Sequence, residues 1–170
     1  MKLVHIDGIS GTGKTSLAEE FTRCGYSALD SDAAFGYYGN PETGETTDEQ
    51  VQANWLLNLD KVKELAQSPG EDVIFVCGGA MNQDKVRKLF SRRFTLVIDD
   101  ETIIQRLLNR TNNHFGKNPD DLARQLEWNK GTIDYAKSIG SIVVDSTRPI
   151  EKVADDILEQ SGFSLTRQSN

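Results

Sequence analysis

With 170 residues, of which 37% are hydrophobic and 26% charged, the chain suits one soluble globular domain with a real core. A net charge of −7 argues against nucleic-acid binding, and no apolar run approaches the ~20 residues needed to span a bilayer. The first residues read as a core strand rather than a secretory signal, so a cytoplasmic location is expected, with Cys24 and Cys77 as reduced packing residues.

Strand-length apolar stretches alternate with helical patterns, the pattern of a parallel sheet covered by helices. The first strand is Leu3 to Asp7, and a helix opens inside GTGKT and stops at Gly25. A second strand, Tyr26 to Leu29, runs into Asp30, Ser31 and Asp32. Ala33 to Thr46 reads mostly as loop. Thr47 with Gln50 resembles a capping box, followed by Val51, Trp55, Leu59, Val62 and Ala66 at helical spacing, with a break near Asn58.

Ser68-Pro69-Gly70 marks a turn before the third strand, Val73 to Cys77. A helix from Asn82 to Phe90 and a fourth strand, Phe94 to Ile98, come next; the basic run Lys85, Arg87, Lys88, Arg92 and Arg93 reads as a solvated face. The helix Glu101 to Arg110 precedes a polar stretch from Thr111, and Pro119 starts a helix reaching Ser138. The fifth strand is Ile142 to Asp145, and Pro149 opens the last helix. Residues 1–160 form one domain in this reading, and 161–170 a frayed tail.

The strongest signal is Gly8-Ile9-Ser10-Gly11-Thr12-Gly13-Lys14-Thr15, a P-loop pattern set between a strand and a helix. Its glycines let backbone N–H groups converge on phosphate, and the helix N-terminus adds positive potential at the same place. Gly8, Ser10, Gly11, Thr12, Gly13, Lys14, Thr15 and Ser16 are the expected nucleotide-binding residues. In such a loop the lysine reaches the β- and γ-phosphates and the hydroxyl of Thr15 ligates Mg²⁺.

Asp30 and Asp32 close the second strand, whose C-terminal end belongs beside the P-loop. Phosphoryl transfer needs one carboxylate for the metal and another at the acceptor hydroxyl; Asp30 suits the first task and Asp32 the second. The alternative is a helix N-cap or Asx turn.

Strand, GxxGxGKT, helix, strand and DxD together resemble the small-molecule branch of the P-loop kinases, the shikimate-kinase-like and nucleoside- or nucleotide-monophosphate-kinase-like families. The likeness runs along nearly the whole chain. It implies a three-layer α/β/α sandwich with a five-stranded parallel sheet of order 2-3-1-4-5, and ATP and Mg²⁺ as cofactors. By the same resemblance Gly78 and Gly79 face the acceptor, residues 111–119 form a mobile lid, and Lys117 closes on the phosphates. Arg110 would stack on the adenine and Pro149 approach from the other side, next to Arg148. Lys14, Asp32, Arg110 and Lys117 would carry the catalysis. Arg106 and Arg110 also suit a helix C-terminus, and Pro149 a first helical turn, without any ligand.

Two departures narrow the function. The third strand lacks the terminal aspartate of many P-loop ATPases, which argues against a motor or AAA-type protein. There is also no Lys or Arg between Arg23 and Lys61, where relatives hold anionic acceptors with arginine. Phe35 and Tyr37 are the substrate-side candidates there, with Tyr38 beside them, while Trp55 reads as core. Phosphoryl transfer to a small non-anionic acceptor follows, a nucleoside or a hydroxylated amine, in a monomer or homodimer. Arg124 could still supply a positive contact. The rival readings are a nucleotide-dependent regulatory ATPase without acceptor, a monophosphate- or shikimate-type kinase, and a GTPase-like switch, the last lacking its base-reading motif. His5 reads as a satisfied core histidine.

Overall fold

Val73–Cys77 is buried at all five positions, which requires cover on both faces of its strand and therefore a central place in a parallel sheet. A computed structural model, describing residues 2–70, 72–111 and 115–163, shows that arrangement. In chain order the elements are β1 (Lys2–Asp7), α1 (Lys14–Arg23), β2 (Ser27–Asp30), α2 (Ser31–Phe35), β3 (Gly36–Tyr38), β4 (Trp55–Leu57), α3 (Leu59–Gln67), β5 (Val73–Cys77), β6 (Phe90–Val97), α4 (Asp100–Asn109), α5 (Pro119–Ser138), β7 (Ile142–Asp145) and α6 (Ile150–Ser161). Short 3₁₀ turns cover Gln52–Asn54 and Gln83–Leu89.

Five strands form one parallel sheet in the order β2-β5-β1-β6-β7. Counted among sheet strands alone this is 2-3-1-4-5, the order the resemblance implied. Alternation along the strands builds the two inner faces. Val4, Ile6, Phe75, Phe94 and Leu96 pack with Leu17 and Phe21 of α1 and Val153, Ile157 and Leu158 of α6. On the other face Leu3, Ile74 and Val76 meet Val62 of α3, with Val86 and Phe90. A third cluster, Ile98, Ile103 and Leu107 with Ile9, Leu122 and Leu126, packs α4 and α5 beneath the P-loop. The sheet thereby fixes the C-terminal ends of β1, β2 and β5 side by side.

Several local expectations are corrected. No helix starts at Thr47; its hydroxyl accepts from the N–H of Glu49 at 3.2 Å in a turn. Trp55 lies not on a helix but in β4, which pairs antiparallel with β3 as a separate two-stranded sheet. Phe35 falls on the short helix α2, not in a loop, and packs against the Leu3–Val62 cluster. The segment after Asn82 winds as a 3₁₀ helix, and β6 begins at Phe90 rather than Phe94. Its polar start, Ser91-Arg92-Arg93, crosses an irregularity in the pairing with β1 between Leu3 and Val4. Pro149 is the N-cap of α6 rather than its first residue. Residues 112–114 of the expected lid, and residues 164–170 of the expected tail, lie outside the described residues.

Candidate active site

At the carboxyl end of β1 the chain turns through Gly8 to Gly13 and enters α1. Gly11 and Gly13 have φ of +89° and +96°, a backbone conformation that side-chain-bearing residues avoid. Gly13 is the N-cap of α1 and offers no side-chain acceptor to the first turn, so the N–H groups there are left for an external anion. Lys14 Nζ donates to the carbonyls of Gly8 at 2.7 Å and Ile9 at 3.0 Å, arching over the loop. Thr12 is fully buried and braces the loop through Oγ1 to the Ile9 carbonyl at 2.8 Å. Thr15 and Ser16 stand exposed at the mouth.

Asp30 closes β2 and Asp32 lies in the first turn of α2, with different partners. Asp30 is the N-cap of α2: Oδ1 accepts from the N–H groups of Asp32 at 2.9 Å and Ala33 at 3.2 Å. Its other oxygen accepts from the Thr15 hydroxyl at 2.6 Å. Asp30 is thus an N-cap through one oxygen and the acceptor for the Thr15 hydroxyl through the other. Thr15 and Asp30 supply oxygen ligands alone, the donor set a hard cation such as Mg²⁺ takes, with water completing its shell.

Asp32 points its Oδ1 at two donors, the indole N–H of Trp55 and the backbone N–H of Gly79, each at 3.3 Å. Burial pushes its carboxyl above the ordinary carboxylate range, opposed by the nearby Lys14 ammonium and by the indole hydrogen bond. Gly78 and Gly79 follow β5 directly. His5, buried in β1 and stacked on Phe90 at 4.6 Å, donates from Nε2 to the Gly78 carbonyl at 3.0 Å and holds that turn. Burial pulls its pKa below the usual histidine value.

The hairpin reverses the expected aromatic lining. Tyr37 sits on the far face of β3, opposite Leu56, where its hydroxyl donates to the Gly44 carbonyl at 3.0 Å. There it lines a cavity of about 300 Å³ with Pro41, Leu56, Leu59 and Lys63. Tyr38 and Trp55, paired across β3 and β4 with ring centroids 5.0 Å apart, occupy the Asp32 face instead. A shift of one position along a strand exchanges faces.

On the nucleotide side, Arg106 of α4 joins two loops, donating to the Gly11 carbonyl at 3.3 Å and the Ser146 carbonyl at 2.9 Å. Ser146 in turn donates to the Thr12 carbonyl at 2.7 Å. Arg110 reaches the Ser10 hydroxyl at 3.3 Å and the Phe115 carbonyl, with its guanidinium 5.8 Å from the Phe115 ring. It meets no carboxylate among the described residues, its Nε is buried without a partner, and desolvation lowers its pKa. Arg148 turns away from the P-loop, pairing with Asp156 at 2.7 Å and the Asp145 carbonyl. Pro149 and Lys117 are exposed, and no hydrogen bond or ion pair joins either to the P-loop. Arg124 is exposed and paired with Asp121 at 3.4 Å.

Three further side chains enter the site without having been expected there. Asp7 accepts from the Gly8 N–H at 2.6 Å and from Gln83 Nε2 at 2.6 Å, beside Gly79. Gln125, almost fully buried on α5, accepts from the Ser10 N–H at 2.9 Å and ties that helix to the P-loop. Asp7 directly precedes the glycine motif, a signal that was available; Gln83 and Gln125 carry none without the fold. Among the described residues no helix is long and apolar enough to cross a membrane.

Residues 4–127 match the family described as AAA domain. The match overturns the argument against an AAA-type protein drawn from the missing aspartate, although β5 does end in Cys77 and the acidic pair does stand at the end of β2 and the start of α2. No curated protein matches the chain. Solved structures share its fold at low identity. A shikimate kinase from Acinetobacter baumannii in complex with shikimate has a TM-score of 0.66 at 17% identity, with 95% of this chain and 93% of that chain covered. A gluconokinase from Sinorhizobium meliloti has a TM-score of 0.57 at 21% identity, with 94% and 93% covered. A sugar kinase from a Janibacter species has 0.55 at 21%, with 100% and 99% covered. On a match spanning most of its length, and with the fold of the P-loop small-molecule kinases, the chain belongs to the AAA domain family.

Proposed function

We propose that the protein transfers the terminal phosphoryl group of ATP, with Mg²⁺, to a hydroxyl of a small non-anionic molecule such as a nucleoside or a hydroxylated amine. The observation that carries this reading is the pairing of a P-loop with a held carboxylate: Asp32 accepts from the Gly79 N–H and lies within the electrostatic influence of the Lys14 ammonium. The names of the kinases that share the fold support an acceptor of small-molecule size.

In this reading the backbone of Gly8 to Ser16 cradles the phosphates, and Lys14 exchanges its carbonyl partners for phosphate oxygens. Mg²⁺, when bound, neutralises phosphate charge, with Thr15 and Asp30 as its protein ligands. Asp32 orients the acceptor hydroxyl and takes its proton; a carboxyl raised by burial is better matched to that role than an ordinary one. Arg110, partly desolvated and without a carboxylate partner among the described residues, is available to phosphate charge as transfer proceeds. Arg106 and Ser146 keep the P-loop and the loop after β7 in register. Closure of the segment carrying Phe115 and Lys117 would exclude water, the competing acceptor.

The acceptor class follows from charge. Asp7, Asp30 and Asp32 gather at the carboxyl ends of β1 and β2, and the chain offers no Lys or Arg between Arg23 and Lys61. On the acceptor side, away from Lys14 and the P-loop amides, this charge disfavours an anionic acceptor. The test is ADP release from ATP·Mg²⁺ across nucleosides, amino alcohols, sugars, nucleoside monophosphates and hydroxy acids. Stimulation by a neutral or cationic class is expected. Strong stimulation by monophosphates or hydroxy acids refutes the acceptor class, and no stimulation at all favours a regulatory ATPase.

A further inference from the structure

The strand that carries Trp55 is anchored along one edge. The Trp55 carbonyl accepts from the N–H of Met81 at 3.0 Å. Two residues on, Leu57 exchanges two hydrogen bonds with the buried Asn82 side chain, N–H to Oδ1 and Nδ2 to carbonyl, both 2.9 Å. β4 is thereby stitched to the segment that follows Gly78-Gly79. From this anchored strand the indole N–H reaches Asp32 Oδ1, the same oxygen that Gly79 contacts. The ring occupies space that only a glycine at position 36 leaves open, since a Cβ there would come within 2.2 Å of Trp55 Cζ2. Tyr38 backs it edge-on, at an interplanar angle of 67°.

A terminal carboxylate torsion is broad and nearly two-fold, so a lone backbone donor leaves its orientation loose. Two donors on Oδ1 fix the plane, and Oδ2 has no hydrogen-bond partner among the described residues. The choice of donor matters as well. An arginine in this place would form an ion pair and attract anions; an indole orients the carboxylate and leaves its charge intact.

We propose that Trp55 is the positioning and specificity-determining residue of the acceptor site: its N–H turns Asp32 so that Oδ2 meets the acceptor hydroxyl, and its ring with Tyr38 forms the wall for a hydroxylated acceptor with a flat or apolar face. The proposal rests on the kinase reading above and adds the residue that sets acceptor geometry. A uniform structural role would lower all kinetic parameters with folding; a positioning role acts through one carboxylate.

The experiment is a double-mutant cycle on W55F and D32N, with Y38L alongside, scored as acceptor-stimulated ADP release with the panel compound that most stimulates the parent. W55F is expected to lower kcat about 10- to 100-fold, the scale of a misplaced reacting group, and to have no further effect in the D32N background. Y38L is expected to raise the acceptor KM by a larger factor than it lowers kcat. W55H, which keeps a ring N–H, should recover part of the loss. In W128F protein Trp55 is the sole tryptophan of the two in the chain, and its emission should shift when that acceptor is added; this readout serves even where W55F does not fold. A W55F enzyme within twofold of the parent, independent effects of W55F and D32N, or unchanged Trp55 emission overturns the proposal. If no panel compound stimulates the parent, the kinase reading itself fails and this inference with it.

Discussion

Gly36 and Gly131 provide opposite outcomes for one chemical change, glycine to alanine. At Gly36 a Cβ would lie 2.2 Å from Trp55 Cζ2 and 2.4 Å from the Asp32 carbonyl oxygen. Rotating the indole relieves the first contact but gives up its bond to Asp32, and the second contact is with backbone. Overpacking of this kind costs about 1–3 kcal/mol, which for a chain of this size lowers Tm by roughly 2–12 °C at 2–4 °C per kcal/mol. Gly131 lies inside α5, and a Cβ there meets nothing within 4 Å. Alanine in that helix interior gains about 0.4–1 kcal/mol, or roughly 1–4 °C. Thermal unfolding followed by far-UV circular dichroism on G36A, G131A and the parent measures both. A G36A melt within 1 °C of the parent would refute this account of the hairpin packing, and a G131A melt below the parent would refute the account of α5.

Three other outcomes follow from particular residues. Nucleotide at about 100 times its dissociation constant should add about 2.7 kcal/mol of apparent stability, and K14A should lose most of that shift in a thermal assay. Burial lowers the His5 pKa, so the unfolded chain binds the proton more readily: stability should be full above the ordinary histidine value near 6.5 and decline as pH falls below it. Urea midpoints between pH 7.5 and 5.5 should show that decline and H5Q should flatten it, whereas a rising midpoint would contradict the assignment. Cys24 and Cys77 are both buried, and burial pushes the Cys77 thiol up from its ordinary value. A thiol reagent at pH 8 should therefore leave the native protein unlabelled and modify both cysteines in urea.

Much of the fold was legible because its signals were local and mutually consistent. Val73–Cys77, Pro119–Ser138 and Ile142–Asp145 carry bounded apolar or helical patterns, and the P-loop sits between the two elements it requires. The hairpin was hidden because its strands are three residues each, too short to show alternation. Val51, Trp55, Leu59 and Val62 also mimic a helix at spacings of three and four. The facing of Tyr37 and Tyr38 was hidden for the same reason: with no strand recognised, nothing distinguished the ring that lies with Trp55 on the Asp32 side, which is Tyr38. The start of β6 was masked by Ser91-Arg92-Arg93, polar residues tolerated where pairing with β1 is irregular. Arg148 was placed by its neighbour Pro149, and Asp156, one turn and a half into α6, lies beyond the reach of a motif argument. Gln125 is 115 residues from its partner Ser10, a relation only the folded chain exhibits.

The central claim is that Asp32 serves the acceptor hydroxyl and not the nucleotide. Phosphorylated acceptor, measured by mass spectrometry beside total ADP release, separates the two in the parent and in D32N. The account predicts that D32N lowers acceptor phosphorylation about 10²- to 10⁴-fold, the usual contribution of a positioned general base, while nucleotide-induced stabilisation stays close to that of the parent. Equal acceptor phosphorylation by D32N and the parent would contradict it.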